Sequence, residues 1–407
     1  MRYIRLALGR KESYMNILFK KGHRYKGRRS WIKRIPILGL SLFFLLSGCT
    51  ESPPSQDQDS QELQINYTVT EINFSSLPEG IYEYHEVYHN QISVIGLKDC
   101  ENYFSSTDLY LLDLENGELE KIEEIDKEEE TNRIWNFVRL DKQTYLYTEV
   151  AYPSLSDHAF MQYNVYRQKG EDRQRITGGF VSSIYELPEL VVMEDSLVFD
   201  TISYSFSHEE ENGQYDFEIW KVNGENQELL LREEGNYSDY RPDETTEYLS
   251  SSLSLVNESE LCFTTADATN SYLNRIQNGQ CLKQKSTKDL INAIPLGNQW
   301  LVTEGKRESM NPEHFTTYLL DDQGLRNDLP SPVHLETYCV LNHTIVGYKN
   351  QEIVLIQGQN QEIEIIYIPE IKDSFVFRKI NDHAFLILDF KNKMIRVDIE
   401  EGSGKAE

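Results

Sequence analysis

The stretch LYLLDLENGELEKI, residues Leu109 to Ile122, determines how the rest of the chain is interpreted. Apolar residues gather on both sides of Asn116-Gly117, as they do in two neighbouring β-strands. Asn-Gly is the preferred pair for a type I′ turn, because both central residues of that turn need a positive φ. The stretch therefore predicts a β-hairpin that reverses at Asn116-Gly117.

The same kind of reversal recurs along the chain. Each instance follows a short run rich in Tyr, Val, Ile and Leu, as Asn223-Gly224 follows FEIWKV. The further turns of this class are predicted at Lys169-Gly170, Asn223-Gly224, Asn278-Gly279, Gln323-Gly324 and Gly358-Gln359. We see no amphipathic helix longer than two turns between them, so the fold class is all-β.

A second class of turn alternates with the first and precedes very apolar strands. Its seven members are Asn90-Gln91, Asp141 to Gln143, Glu194-Asp195, Asn257 to Ser259, Gly297-Asn298, Asn342-His343 and Asn381-Asp382, spaced about 49 residues apart. Two hairpin classes with one shared period describe a four-stranded antiparallel unit with strands A, B, C and D. The second class joins A to B, and the Asn-Gly class joins C to D. Seven such units predict a seven-bladed β-propeller; six blades plus a hairpin, or two β-sandwiches, remain open.

The phrase from Leu109 to Ile122 resembles the outer hairpin of TolB-like and quinoprotein-like propeller blades. The resemblance is one of pattern over roughly 340 residues, and it implies the propeller fold. It names no single family, since the Trp-Asp and Gly-His pairs of WD40 blades, the Asp-boxes of sialidases and the Gly-Gly pairs of kelch repeats are missing from the sequence.

The two ends of the repeated region complement each other. The last unit lacks a strand D, because the chain ends soon after MIRVDIEE, and a spare strand, INYTVTEINF (Ile65 to Phe74), precedes the first unit. Pairing the spare strand with the last blade would close the ring and cover an exposed sheet edge. We therefore expect one propeller domain over residues 65–400, followed by a tail at 401–407.

The N-terminal segment indicates export. About twelve apolar residues, Ile35 to Leu46, follow a basic region and precede Leu46-Ser47-Gly48-Cys49. This arrangement resembles the signal peptide and lipobox of bacterial lipoproteins, which implies cleavage after residue 48 and lipid, including palmitate, on Cys49. We expect a lipid-anchored protein on the extracytoplasmic face of a cell membrane. Arg28-Arg29 leaves the twin-arginine export route open, and translation from Met15 is a second open alternative.

The segment after Cys49 and the charge of the mature chain fit an anchored domain. Residues 49–64 are polar, acidic and Pro-containing, as expected of a flexible tether. The first 48 residues hold twelve Lys and Arg against one acid, so the remainder has 28 basic and 66 acidic residues. Such an acidic surface repels nucleic acid, which we exclude as a partner.

The sequence offers no catalytic, metal or cofactor site. The spacings of Cys100, Cys262, Cys281 and Cys339 match no zinc motif, and we expect buried thiols rather than disulfides. His85 and His89 are spaced HxxxH, but on a strand they would lie about 13 Å apart, too far to share one ion. The G-x-S-x-G motif of hydrolases is also missing.

The connections of the predicted blades are unequal in length. The B–C and D–A connections are long, for example Lys98 to Thr107 and Gly235 to Tyr248, and strand alternation places both kinds on one face. Binding residues concentrate on long loops of rigid scaffolds. The candidate binding face is therefore Tyr103, Tyr152, Tyr240, Arg241 and Arg307.

The sequence leaves two functions of different class open. The first is a tethered binding, sensing or scaffold protein that presents the loop face to an envelope protein or a small ligand. The second is an extracytoplasmic enzyme, a quinoprotein-like oxidoreductase, lyase or hydrolase, with its site at the central channel. Convergent carboxylates, histidines or arginines at the channel would favour the enzyme.

Overall fold

The computed structural model describes residues 66–400, with gaps at 75–76, 100–103, 127–131, 152–160, 182–185, 194–195, 206–211, 225, 239–240, 243–247, 250–252, 258, 268, 288, 306–313, 330–332, 334, 336, 350–351, 360–361, 369–374 and 390–393. Apart from Glu186 and His314, which have 3₁₀-helical geometry, all regular secondary structure in the described part is β-strand. The strands form seven separate antiparallel sheets, each the size of a propeller blade.

The strands follow the chain in order. The first is β1 (Asn66–Ile72). Blade 1 holds β2 (Ile81–Tyr88), β3 (Gln91–Asp99), β4 (Phe104–Asp113) and β5 (Leu119–Ile122). Blade 2 holds β6 (Arg133–Arg139), β7 (Thr144–Ala151), β8 (Met161–Lys169) and β9 (Asp172–Val181). Blade 3 holds β10 (Leu190–Met193), β11 (Ser196–Ser205), β12 (Asn212–Asn223) and β13 (Asn226–Ser238), with β14 (Arg241–Pro242) added at its edge.

The remaining strands complete the ring. Blade 4 has a divided inner strand, β15 (Tyr248–Leu249) and β16 (Ser254–Asn257), followed by β17 (Glu260–Ala266), β18 (Ser271–Gln277) and β19 (Gln280–Lys285). Blade 5 holds β20 (Leu290–Leu296), β21 (Gln299–Glu304), β22 (Thr316–Asp321) and β23 (Arg326–Asp328). Blade 6 holds β24 (Thr337–Leu341), β25 (Thr344–Lys349), β26 (Glu352–Gln359) and β27 (Glu362–Ile368). Blade 7 holds β28 (Phe375–Asn381), β29 (Ala384–Asp389) and β30 (Met394–Glu400).

The seventh blade is completed by the first strand of the chain. β1 pairs with β30 in antiparallel register from Asn66 opposite Glu400 to Ile72 opposite Met394. The seven-bladed propeller and its closure by an N-terminal strand are therefore confirmed. The alternatives of six blades plus a hairpin and of two β-sandwiches are wrong.

Most predicted reversals lie where the sequence placed them. Asn278 and Gly279 have φ of 51° and 72°, and Gly117, Gly170 and Gly224 also have positive φ. Gly117 has a second constraint, because a Cβ there would collide with the backbone oxygen of Asn73. The left-handed backbone that the Asn-Gly pattern predicted is therefore present.

Several predicted boundaries are wrong. Gly235, expected to begin the connection after blade 3, lies within β13 opposite Tyr215, and the strand continues to Ser238. The first A–B turn is His89-Asn90, with φ of 47° and 61°, one residue earlier than expected, because Gln91 already pairs in β3. Gly358 and Gln359 lie within β26, where Gly358 faces Ile363, and the reversal falls at residues 360–361. The B–C connection of blade 1 is 100–103 rather than 98–107, because Asp99 pairs with Phe104.

Apolar side chains fill the spaces between neighbouring blades. One cluster between blades 1 and 2 contains Ile95, Leu111, Phe137 and Tyr147, all almost fully buried. On β7, Tyr145 and Tyr147 face this cluster while Leu146 and Val150 belong to the next one, so one strand serves two interfaces. The alternation of strand residues thus positions each blade between its neighbours.

Candidate functional site

The two ends of the propeller differ in the amount of chain they carry. We call the end with the A–B and C–D connections the turn end, and the end with the B–C and D–A connections the loop end. Connections at the turn end have two to five residues. Those at the loop end reach nine residues at 152–160 and eleven at 305–315. The predicted asymmetry between the ends is therefore present in the strand boundaries.

The five residues of the candidate binding face cannot be compared as a group. Tyr103, Tyr152, Tyr240 and Arg307 lie outside the described residues, as does Cys49 with its signal peptide and tether. Arg241 begins β14, where its backbone pairs with Ser238 at the edge of blade 3. The binding face and the lipid attachment therefore stay predictions.

A charged cluster that the sequence reading did not predict lies on the inner strands of blades 1 and 2. Arg133, the first residue of β6, donates a hydrogen bond to Glu83 of β2, and both side chains are buried. The guanidinium of Arg133 also lies 4.6 Å from the ring centre of Trp135. Burial raises the pKa of Glu83, but Arg133 and His85 outweigh it and lower that pKa to about 2. Glu83 is therefore an anion at neutral pH.

His85 lies beside this ion pair and, unlike Glu83 and Arg133, carries no charge at physiological pH. Its Nε2 is 3.8 Å from Glu83 Oε2, beyond hydrogen-bond distance, and has no hydrogen-bond partner among the described residues. Burial lowers the pKa of His85, opposed by Glu83 and reinforced by Arg378 and Arg133. The imidazole is therefore neutral at physiological pH.

Blade 7 supplies a second cation to the same inner strand. The pairing of β2 with β3 is irregular between Tyr84 and Val87, so residues 85 and 86 form a bulge. Arg378 of β28 donates to the carbonyl oxygens of Tyr84 at 3.0 Å and His85 at 3.1 Å. One guanidinium thus satisfies two carbonyl groups at the bulge and ties blade 7 to blade 1.

The centre of the ring is narrow at the level of several inner strands. Cα atoms of β2 and β10 come within 8 Å of each other, and so do those of β16 and β24, although neither pair belongs to neighbouring blades. Tyr88 of β2 joins an apolar cluster that includes Leu190 and Met193 of β10 and Leu255 of β16. The convergent charges of β2 and β6 therefore lie beside packed side chains.

Further buried charges connect strands and blades elsewhere. Glu149 of β7 accepts hydrogen bonds from Asn132 and Arg173, and Arg173 stacks 3.6 Å from the ring centre of Tyr166. Between blades 4 and 5, Arg275 binds Glu260 and the carbonyl oxygen of Gly297. A single charged residue within a strand rich in Tyr, Leu and Val, as in TYLYTEVA of β7, was the sequence signal for such positions.

The thiol and histidine predictions have mixed outcomes. Cys262 of β17 is a buried thiol, as predicted, but Cys281 is exposed because the outer strand β19 turns most of its side chains to solvent. Cys339 is half-buried, and Cys100 lies outside the described residues. His85 lies in a strand, as predicted, whereas His89 lies in the A–B turn, so the strand interpretation of HxxxH is confirmed for His85 alone.

The described residues offer neither a metal site nor a membrane-spanning helix. They contain no group of three or more His, Cys, Asp or Glu side chains that could hold a metal ion. No apolar helix of membrane-spanning length occurs in the part of the chain that the structure describes.

No protein-family model and no curated protein matches the chain. Among solved structures it is similar to acylaminoacyl peptidase from Pyrococcus horikoshii, at 11% identity and a TM-score of 0.42, over 76% of this chain and 49% of that one. Its similarity to virginiamycin B lyase from Staphylococcus aureus has 10% identity and a TM-score of 0.40, over 82% of this chain and 99% of that one. Its similarity to an uncharacterized protein from Listeria monocytogenes has 10% identity and a TM-score of 0.40, over 80% of this chain and 97% of that one. The chain thus spans about half the length of the peptidase. These likenesses concern the fold alone, and the strand pairing of the chain itself identifies it as a seven-bladed β-propeller.

Proposed function

We propose that this protein is a lipid-anchored binding or scaffold protein of the cell envelope, attached through Cys49 and exposed outside the cytoplasm. The loop end of the propeller engages an envelope protein or a small ligand. The observation that carries the proposal is the difference between the two ends, since the long connections all leave the rigid blades at one end. Long loops held by a rigid scaffold are the usual place for binding residues.

The chemistry of the loop end indicates what kind of partner it fits. Its fourteen connections contain 25 acidic and eight basic residues by sequence, which favours a partner with cationic groups and disfavours nucleic acid. Tyr103, Tyr152, Tyr240, Arg241 and Arg307 interrupt this acidic surface. Aromatic and Arg side chains are the most frequent energetic centres of protein interfaces, at about 2 kcal/mol or more each.

A second candidate function has one observation in its favour. Glu83, His85 and Arg133 converge on the inner strands near the loop end, as a channel enzyme would require. Glu83 and Arg133 are, however, buried and bound to each other, and Tyr88 packs among side chains of blade 3. The cluster supports a positioning role for the blades more directly than it supports catalysis.

Photocrosslinking in intact cells tests the binding proposal. A photoreactive amino acid is placed at Tyr152 or Tyr103 in the loop end, and at Asn116 or Glu171 in the turn end. We expect one recurrent adduct from the loop-end positions and none from the turn-end positions. Adducts from the turn end alone would show that the binding surface is assigned to the wrong end.

Paired substitutions separate binding from stability. Replacing Tyr240 and Arg241 by Ala should reduce the Tyr152 adduct, while the melting temperature stays within about two degrees, as is usual for surface changes. Asn278→Ala is the matched control. Alanine lacks the short polar side chain that lets Asn adopt the left-handed conformation, so the change should lower stability, by about 1 kcal/mol, without changing the adduct. Asn278→Gly should do neither.

The anchor has its own test. Cys49→Ser should release the protein from the membrane fraction and abolish incorporation of labelled palmitate. Equal membrane association of the two forms, with no lipid on Cys49, would contradict the lipoprotein part of the proposal.

A further inference from the structure

The position of β1 determines where the tether meets the propeller. In the six blades that are continuous in sequence, the outer strand begins directly after a C–D turn, as β5 begins after residues 114–118. β1 takes the place of the outer strand in blade 7, and its first residue, Asn66, lies opposite Glu400, the last residue of strand C. The chain therefore enters the ring at the turn end, near the outer rim of blade 7.

The length of the tether is comparable with the thickness of the ring. Sixteen residues, 50–65, separate Cys49 from Asn66. A flexible chain of this length has an end-to-end distance of about 20–24 Å, with a limit of roughly 55 Å when fully extended. Strands of seven to ten residues place the two ends of a blade about 25–30 Å apart. A tether of average length is therefore somewhat shorter than the ring is thick, and bringing the loop end to the membrane requires the tether to stretch to about half of its extended limit.

We infer that the anchored propeller holds its turn end toward its own membrane and its loop end toward the aqueous side. A partner of the loop end then approaches from the aqueous compartment or from a facing surface, and not from within the anchoring bilayer. The inference rests on the proposed function only through the lipid on Cys49.

Energy transfer in vesicles measures this orientation. The full-length lipidated protein is inserted into vesicles of phosphatidylethanolamine and phosphatidylglycerol that carry an acceptor dye on their headgroups. A donor dye is attached through an unnatural amino acid at one of two exposed positions of blade 5, Gln323 at the turn end or Asp289 at the loop end. We expect higher transfer efficiency from position 323 than from position 289.

Two controls keep the outcomes distinct. Inserting thirty Gly and Ser residues into the tether should shrink the difference, because the longer chain no longer restricts the orientation. Equal transfer from both positions in the original protein, or higher transfer from position 289, overturns the inference. Failure of the lipidated protein to form, seen by mass spectrometry of the N-terminal peptide, contradicts the proposed function instead.

Discussion

Blade 1 contacts its two neighbours through different interactions. On the side of blade 7, residues 73–80 connect β1 to β2, and Arg378 donates to two carbonyl groups of β2. The break in the chain lies inside blade 7, where the β1–β30 ladder closes the ring. On the side of blade 2, the chain runs directly from one blade to the next. Here the buried Glu83–Arg133 pair connects the two inner strands.

The two junctions contribute differently to the stability of the folded protein. A backbone ladder that carries apolar side chains contributes net stability, because it buries apolar surface and pairs the backbone groups of a sheet edge. A buried ion pair contributes little net stability, because the cost of removing two charges from water offsets their attraction. Losing one partner of such a pair is costly, because the other charge stays buried without compensation. The pair therefore favours the arrangement in which these two strands lie side by side.

Deleting β1 should have the largest effect. Tyr67 packs against the cluster between blades 6 and 7, and Ile72 against the cluster between blades 7 and 1, so the strand links two interfaces. Removing residues 66–72 should lower the free energy of unfolding by several kcal/mol out of a typical total of about 5–15 kcal/mol. Chemical denaturation followed by circular dichroism measures the change.

A shorter deletion is the control for this experiment. Removing residues 50–64 takes away the tether but leaves β1 in place, so the midpoint of unfolding should not move. An unchanged midpoint after the deletion of β1 itself would show that the ladder does not hold the ring closed.

Breaking the ion pair between blades 1 and 2 should have the next largest effect. Arg133→Met leaves Glu83 buried without its cation, at a cost of about 3–5 kcal/mol. The double variant Glu83→Leu with Arg133→Met removes both charges and should recover most of that loss. If the double variant is as unstable as the single one, the pair contributes net stability and the contrast with the β1 ladder disappears.

Removing the second contact between blades 7 and 1 should cost less. Arg378→Met leaves the carbonyl groups of Tyr84 and His85 without their donor at the bulge, and an unsatisfied buried group costs about 1–3 kcal/mol. Arg378→Lys keeps the charge with a single donor centre and should retain part of the stability. Equal stability of Arg378→Met and the unmodified protein would mean that water replaces the guanidinium.

These junctions show which parts of the structure the sequence could predict. The four-stranded unit, its Asn-Gly turns and the closing strand follow from local patterns, such as Asn278-Gly279, that determine backbone geometry over a few residues. Arg133 and Glu83 are 50 residues apart, and Arg378 binds an oxygen 294 residues away. Such contacts depend on how the ring brings inner strands together, and no local sequence pattern reveals that arrangement. The candidate binding face remains a prediction, because four of its five residues lie outside the described part.

The pH dependence of stability offers the finest comparison of the two junctions. The pKa of Glu83 is lowered from its ordinary 4.5 to about 2, so its carboxylate favours the folded state above pH 4.5 and loses this contribution as the pH falls toward 2. The pKa of His85 is lowered below its ordinary 6.5 by burial, so the unfolded chain takes up this proton first. Stability therefore begins to fall as the pH drops through 6.5, before Glu83 is affected.

His85→Gln should separate these contributions and give the smallest of the effects. The variant should lose the part of the pH dependence that begins near pH 6.5 and keep the part that begins near pH 4.5, because Glu83 still faces Arg133. The substitution leaves every other histidine in place, so the difference between the two stability curves isolates His85. Arg378→Met provides the contrast: a guanidinium stays charged throughout this range, so that variant should mainly shift the curve downward. Its slope below pH 6.5 should shrink only in part, because burial, the main cause that lowers the pKa of His85, remains after Arg378 is removed. A change of slope in Arg378→Met as large as that in His85→Gln would mean that the titration belongs to the junction with blade 7 as much as to the junction with blade 2.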